Sequence, residues 1–381
     1  MNIVLAPDSF KGSLSANQAA EAMAMGIHSF SKTIETVTIP VADGGEGTVE
    51  SLVRSTNGQI VNHIVENPLG RPVEARYGVL GDKETCVIEI AEASGLTLLT
   101  KEERNPLIAS SYGTGQLINS ALDAGFRKFI IGLGGSATND GGAGILQALG
   151  LALLDSDGHD IPKGGQGLRH LTHMDFSHFD PRIKEATFLI ASDVDNPFIG
   201  PNGASAIFGP QKGATPEMVT QLDENLTHFA NIVEKFLHIS LHNLTGAGAA
   251  GGAGGAFSAF FPSKLKAGID VVLEATSFQQ ISQRADLIIT GEGKSDIQTL
   301  AGKTPFGISK VGLTIKKPVF LISGLVDEPS KTLLQPYFKE IHSLVDGKVS
   351  MDQSISDAAN LLHRKTKQVI DSYIRSTNRY K

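Results

Sequence analysis

The chain has no tryptophan and only one cysteine among its 381 residues. An internal disulfide is therefore excluded, and a reducing, cytoplasmic setting is the expectation. Aromatic residues are sparse, at 6% of the chain, and without tryptophan no Trp-based stacking platform exists. Positive charge is not in excess either. The formal net charge is −7, which argues against a nucleic-acid surface. An anionic substrate stays open, because backbone amides, a few cations and a metal ion can bind anions locally. Long apolar runs are also scarce. A long uncharged apolar stretch, "GAGAAGGAGGAFSAFFP", is mostly glycine and alanine and too poor in large side chains to span a bilayer. The opening "MNIVLAPDSFKG" lacks a basic region, and its apolar run meets Pro7 and Asp8. It reads as a first strand and not as a secretion signal. No G-x-S-x-G string occurs, so serine-hydrolase chemistry lacks its marker. A membrane or nucleic-acid partner is not expected.

What the chain does have is glycine, 42 residues of it, set among 41% hydrophobic residues. A chain this long predicts about two domains. Short apolar runs recur and end in small or acidic residues: "NIVLAPDS", "TVTIPVADGGEG", "KFIIGLGGSATND", "TFLIASDVDN", "DLIITGEGKSD" and "PVFLISGLVD". Runs of β-branched residues and leucine without polar alternation suit strands buried on both faces. Helical stretches between several of them predict an α/β fold with a mainly parallel sheet. Ser15 with Gln18 forms a capping box, and Ala16, Ala20, Met23, Ile27 and Phe30 follow at helical spacing. A further helix is expected from Ala143 through "GILQALGLALL". Residues 66–100 alternate between polar and apolar and carry turn signals, which predicts antiparallel or mixed pairing. The expected organisation is a discontinuous domain of residues 1–65 plus 281–381, with a mixed α/β domain of residues 66–280 inserted.

In open α/β sheets ligands bind beyond the carboxyl ends of the strands, where these acidic and glycine-rich tails fall. "LGGSATNDGGAG" combines bare backbone with small hydroxyls, a composition suited to cradling phosphate. Gly132, Gly134 and Ala137, with Asp155 further on, also satisfy a dinucleotide fingerprint. Against that reading, "TNDGG" delays the helix and the loop is rich in hydroxyls. "GKT" at 302–304 is not a P-loop, because Ile297 stands where glycine is required. Lys303 and especially Lys11, in a tight loop before a helix, remain candidates for anion contact. Asp43 and Glu46, Asp193 and Asp195, and Glu292 and Asp296 form three acidic loops. Carboxylates of this kind suit Mg²⁺. His159, His170, His173 and His178 match no zinc spacing and read as loop residues, and Cys86 reads as a buried strand thiol.

Taken together, "APDSFKGSLSA", "PVADGGEGT", "YGTGQLI", "GLGGSATNDGGAG", "DVDNPFIG", "FGPQKGA", "TGAGAAGG" and "ITGEGKSDIQTLAGKTPFG" resemble the bacterial glycerate kinase family, of the glycerate 2-kinase type. The resemblance covers essentially the whole chain. It implies ATP-dependent, Mg²⁺-dependent phosphorylation of D-glycerate by two α/β domains, one flavodoxin-like and one mixed, with the active site in a cleft between them. It tips the product toward 2-phosphoglycerate. The alternatives are 3-phosphoglycerate, or a nicotinamide-dependent oxidoreductase. A homodimer is a further expectation. Physical roles placed on the motif positions make Asp193, Lys11 and Asp8 the catalytic candidates, with Asp43 and Asp140 as rival bases. Gly134, Gly135, Ser136, Thr138, Asn139 and Lys303 are expected at the ATP phosphates, Ser9, Asp43 and Glu46 at the substrate, and Glu292 and Asp296 at the metal.

Overall fold

The computed structural model describes residues 1–42 and 47–378. Its main strands are β1 (Asn2–Leu5), β2 (Glu35–Thr38), β3 (Gln59–Glu66), β4 (Pro72–Val79), β5 (Thr85–Glu89), β6 (Lys128–Gly132), β7 (Thr187–Ala191), β8 (Ser263–Lys266), β9 (Leu287–Thr290), β10 (Val319–Ser323) and β11 (Glu340–Ser343). The helices used below are α1 (Ala16–Phe30), α2 (Thr48–Ser55), α3 (Tyr112–Asp123), α4 (Ala143–Ala148), α5 (Pro216–Leu237), α6 (Ala253–Phe260), α7 (Thr304–Thr314) and α8 (Ala358–Asn378). Two compact units result: Met1–Asp43 with Ile269–Lys381, and Gly44–Gly268. The divisions fall away from the expected 65/66 and 280/281. Segment β3 pairs along its whole length with β4, from Gln59 opposite Val79 to Glu66 opposite Pro72, and that ladder holds it in the second unit. Ile269 packs instead against Gly307 of α7.

The first unit carries a five-stranded sheet in the order β11-β10-β9-β1-β2, parallel at every pairing. Counted along this unit alone, the strand order is 2-1-3-4-5, that of the flavodoxin-like doubly wound fold. The apolar runs produce most of it directly; β2, at the sheet edge, is exposed at three of its four residues and not buried on both faces as its run predicts. The strands β9 and β10 are buried at every residue, so helices must cover both faces. Ile3, Leu5, Met23, Ile27, Leu287, Ile289, Phe320, Leu362 and Ile370 form one core. The predicted capping box starts α1: the Ser15 hydroxyl accepts the Gln18 N–H, and the Gln18 side chain accepts the Ser15 N–H.

The second unit carries a six-stranded sheet, β8-β7-β6-β5-β4-β3. Its β3-β4-β5 portion is antiparallel and the rest parallel, the mixed pairing that the alternation predicts. Helix α4 is shorter than expected and ends at Ala148. Gly150 then takes φ of +86° with its α-carbon against the His178 carbonyl, and the chain turns into a short strand, Ala152–Leu154.

Close backbone approach explains part of the glycine. The Gly141 N–H donates to the Gly251 carbonyl at 2.9 Å. A Cβ on Gly251, whose φ is +67°, would lie 2.0 Å from the Thr138 carbonyl oxygen. Gly158 also has positive φ (+82°) but nothing within 4 Å. Gly158→Ala should therefore cost only the backbone penalty, about 1 kcal/mol, whereas Gly251→Ala should cost more than about 3 kcal/mol because neither backbone can retreat. Urea melts of the two variants test this, and equal midpoints would refute it.

Candidate functional site

In the first unit the strand order reverses between β1 and β9, which makes their carboxyl ends the switch point of the sheet. Pairing continues past β1: the Ala6 N–H donates to the Ile289 carbonyl and the Asp8 N–H to the Gly291 carbonyl, both at 2.8 Å. Asp8 is thereby drawn alongside Gly291 and Glu292. One Asp8 oxygen accepts the Ser9 N–H at 2.6 Å and the other accepts the hydroxyl of Thr304 at 2.7 Å, at the first residue of α7. Exposed Lys11 sits in the loop that packs over Gly293, where a Cβ would lie 3.1 Å from the Lys11 nitrogen.

Glu292 is buried. Its Oε1 accepts hydroxyls from Ser295 at 2.9 Å and Thr299 at 2.6 Å. Burial pushes its carboxyl up, while those hydroxyls and the charge of Lys303 pull the other way. Asp296 caps the next turn by accepting the Gln298 N–H at 2.9 Å and pairs with Lys294 at 3.1 Å. Desolvation opposes its charge, but Lys294, the Gln298 amide and Lys303 outweigh it and hold Asp296 below the usual carboxylate range. Asp8, Ser9, Lys11, Glu292, Asp296 and Lys303 thus fall around one switch point. Two carboxylates, one of them oriented by two hydroxyls, form a hard-oxygen set that fits Mg²⁺. Asp43 and Glu46 lie outside the described residues.

In the second unit the carboxyl ends of β5, β6 and β7 lie side by side, with Glu89 opposite Gly132 and Gly132 opposite Ala191. The loop after β6 begins with half-buried Gly134 and exposed Gly135, the latter at φ +74°. The Gly135 carbonyl accepts the Leu96 N–H at 2.9 Å, and the Ala137 N–H donates to the Ser94 carbonyl at 2.8 Å. Among the described residues, the N–H groups of Gly134, Gly135 and Ser136 have no protein acceptor. Three successive donors of this kind are what a phosphate needs.

The side chains that follow turn inward. Ser136, Thr138, Asn139 and Asp140 are all buried. The Lys212 ammonium, itself 2% exposed, donates to Ser136 Oγ at 2.9 Å and to the Thr138 carbonyl at 2.7 Å. Asn139 Nδ2 donates to Ser205 Oγ at 2.9 Å. Thr138 Oγ1 and Asn139 Oδ1 are buried without a hydrogen-bond partner. Asp140 accepts from the Ser111 N–H and hydroxyl, both at 2.8 Å, and from the N–H groups of Gly142 and Gly144 at 3.2 and 3.3 Å. These four bonds tie the loop to the start of α3, and burial pushes the Asp140 carboxyl up while the Ser111, Gly142 and Gly144 donors oppose the rise. Asp193, beyond β7, is exposed, and its Oδ1 accepts the Gly268 N–H at 2.9 Å.

The dinucleotide reading loses its parts. The helix starts only at Ala143, and Asp155 Oδ1 is taken by the N–H groups of Asp157 and His159 in an exposed turn. His159, His170, His173 and His178 are exposed. Cys86 is a core thiol that burial pushes well above its usual range. The sequence reading gave no role to Lys212, although its string "GPQKGA" stood out. It also passed over Glu89, an acid closing a buried strand like the others, and Thr304.

A glycine loop with free donors at the end of one parallel sheet, and paired acids at the switch point of another, invite comparison with proteins of known kind. The model of the Glycerate kinase family matches residues 3–374. The chain belongs to the glycerate kinase family. It is 49% identical over 372 residues to a glycerate kinase of Bacillus subtilis (strain 168), covering 98% of this chain and 97% of that one. It is 43% identical over 369 residues to a glycerate 2-kinase of Escherichia coli (strain K12), with 97% of each chain covered. A solved protein of Salmonella typhimurium LT2, assigned as glycerate kinase 2, superposes with a TM-score of 0.90 at 42% identity and 99% coverage of both chains.

Glu89 gives this family member a pH-sensitive joint. It accepts the Val49 N–H at 2.7 Å and the Gly47 N–H at 3.4 Å at the start of α2. Burial pushes its carboxyl up to about 7, Glu92 adds to the rise, and the two amides and Arg76 oppose it. The unfolded value is near 4.5, so between about 4.5 and 7 the folded protein holds more protons than the unfolded chain. This contribution is complete below 4.5 and is lost as pH rises through 7. Glu89→Gln should flatten that part of the stability profile. Urea midpoints at about pH 5 and 7.5 measure it, and parallel profiles for the variant and the parent would remove Glu89 as the cause.

Proposed function

We propose that this protein transfers the γ-phosphoryl group of ATP to D-glycerate, on the 2-hydroxyl, giving 2-phosphoglycerate and ADP. The observation that carries the reading is the run of unbonded N–H groups at Gly134, Gly135 and Ser136. Phosphoryl transfer depends on positioning and charge neutralisation more than on covalent chemistry by the protein. In the second unit those amides would receive the nucleotide's phosphates, with Thr138 and Asn139 holding the loop from beneath. Asp193 is the proposed base. As the 2-hydroxyl oxygen bonds to the γ-phosphorus and the bond to the ADP oxygen breaks, the hydroxyl proton passes to its carboxylate.

In the first unit Lys11 and Lys303 would balance anionic charge. Asp8, fixed by Ser9 and Thr304, is the alternative base. Ser9, Asp43 and Glu46 are proposed for the substrate, and Glu292 and Asp296 would hold Mg²⁺, which when bound neutralises phosphate oxygens. The relative named glycerate 2-kinase supports the 2-position. An anchored carboxylate fixes the reach to one hydroxyl, since reacting atoms must come within about 3–3.5 Å. Among the described residues no helix is long and apolar enough to cross a membrane, and the free Cys86 supports a cytoplasmic setting.

With ATP, Mg²⁺ and D-glycerate the protein should release ADP, and enolase should consume the product with no mutase present. A coupled signal that needs phosphoglycerate mutase would reassign the product to 3-phosphoglycerate, and no ADP above an enzyme-free control would reject the kinase reading. Asp193→Asn should lower kcat roughly 10²-fold or more, while Asp157→Asn in the exposed turn should change little. Similar mild effects at both positions would exclude Asp193 as the base.

A further inference from the structure

Lys212 is the most unusual charged group in the molecule. Lysine is almost never fully buried unless it is paired, yet no carboxylate lies within salt-bridge distance of it among the described residues. Its two acceptors, Ser136 Oγ and the Thr138 carbonyl, both belong to the loop whose Gly134, Gly135 and Ser136 N–H groups have no protein acceptor among the described residues. The lysine itself is fixed at the end of a short turn, Pro210–Lys212, closed by Gly213 at φ +93°. The backbone of Arg104 packs against that glycine. Such a costly arrangement needs a return beyond packing, because a buried methionine would fill the space without desolvating a charge.

We propose that Lys212 is the positioning residue of the phosphate loop: its amine braces Ser136 and Thr138 so that the Gly134–Ser136 amides converge, and it takes up a proton from solvent when a nucleotide phosphate arrives. The inference rests on the nucleotide reading of this loop. The physical basis is that burial favours the neutral amine, while an incoming polyanion above the loop favours the ammonium. Burial lowers Lys212 to about 7, and Asp140 raises it in part. Other charges nearby are accounted for. Asp140 is held by Ser111, Gly142 and Gly144. On the neighbouring loop Glu103 pairs with Arg71, Glu102 is fully exposed, and the Arg104 Nε is buried without a partner. An amine titrating near neutrality is therefore poised to change charge on phosphate binding. Protonation adds one positive charge beneath the loop, with the proton drawn from the buffer acid.

The test is calorimetric titration of the full-length protein with a non-hydrolysable ATP analogue and Mg²⁺, at about pH 8, in two buffers of different ionisation enthalpy. At that pH the analogue's own phosphates are already ionised, so they contribute little to proton exchange. The parent protein should show net proton uptake. Lys212→Met should bind at least roughly tenfold more weakly and lose the Lys212-dependent uptake. Equal uptake in both proteins, or equal affinity with Lys212→Met folded, would overturn the proposal; a merely structural lysine would lower the melting temperature and leave proton linkage unchanged. If Lys212→Met does not fold, Ser136→Ala removes one acceptor of the ammonium, lowers the proton affinity of the amine in the bound state as well as the free one, and should reduce the uptake at pH 8; an unchanged uptake would count against the proposal. Lys212-dependent uptake without phosphorylation of glycerate would support this inference and reject the kinase reading. Phosphorylation of glycerate without that uptake would do the reverse.

Discussion

The contact on which the second unit's site depends is between two stretches of backbone. Residues 138–142 and 251–252 lie so close that a side chain on Gly251 would strike the Thr138 carbonyl, and one on Gly252 would strike the Gly141 α-carbon at 2.7 Å. Only glycine permits this approach. Its consequence reaches the chemistry directly, because the Thr138 carbonyl that meets Gly251 is also an acceptor of the Lys212 ammonium. Press that carbonyl out of place and the lysine loses a partner at a site shielded from solvent, where Lys212 is 2% exposed. The glycine-rich string "TGAGAAGG" thus shapes the loop after β6 from behind, by filling the space there with backbone alone.

The first unit reaches its arrangement by a different route, through topology. Because β1 and β9 are neighbours at the point where the strand order reverses, the segments after both strands run on side by side, with the Asp8 N–H on the Gly291 carbonyl. Asp8 and Glu292 are then placed by sheet pairing itself, one residue after another along the ladder, and hydroxyls from Thr304, Ser295 and Thr299 fix their carboxylates. Neither acid depends on a long flexible loop for its position. A site built this way inherits the stiffness of the sheet core beneath it.

Most of this was legible in the sequence where the signal is local. Unalternated apolar runs announced the parallel strands, Ser15 and Gln18 announced the start of α1, and the alternation after residue 66 announced the antiparallel pairing. The strand-end rule alone puts Asp8, Glu292 and Asp193 at carboxyl ends. What the sequence could not convey was non-local. Whether β3 belongs to one unit or the other is decided by its ladder to β4, not by its own composition. Whether Ser136, Thr138 and Asn139 face outward or inward is decided by Lys212 and Ser205, which lie dozens of residues away. Lys212 in isolation reads as one more loop lysine, since nothing in "GPQKGA" says that its ammonium is enclosed. The length of α4 turned on Gly150, whose close approach to His178 no helical periodicity can reveal.

The two buried ionisable groups beside the loop, Glu89 and Lys212, pull stability in opposite directions over adjoining pH ranges. Glu89 binds its proton more tightly in the folded protein, so its contribution declines as pH rises from about 4.5 to about 7. Lys212 binds its proton less tightly when folded, so between about 7 and 10.5 the unfolded chain holds more protons and the folded state gains as pH rises. The combined contribution of the pair is therefore at its lowest near neutrality. Both groups are then half-way between charge states at neutral pH, where a small change in local potential moves a proton most readily. Stability given up near neutral pH is the physical counterpart of electrostatic responsiveness in the second unit, and apolar residues at these two positions would lack it.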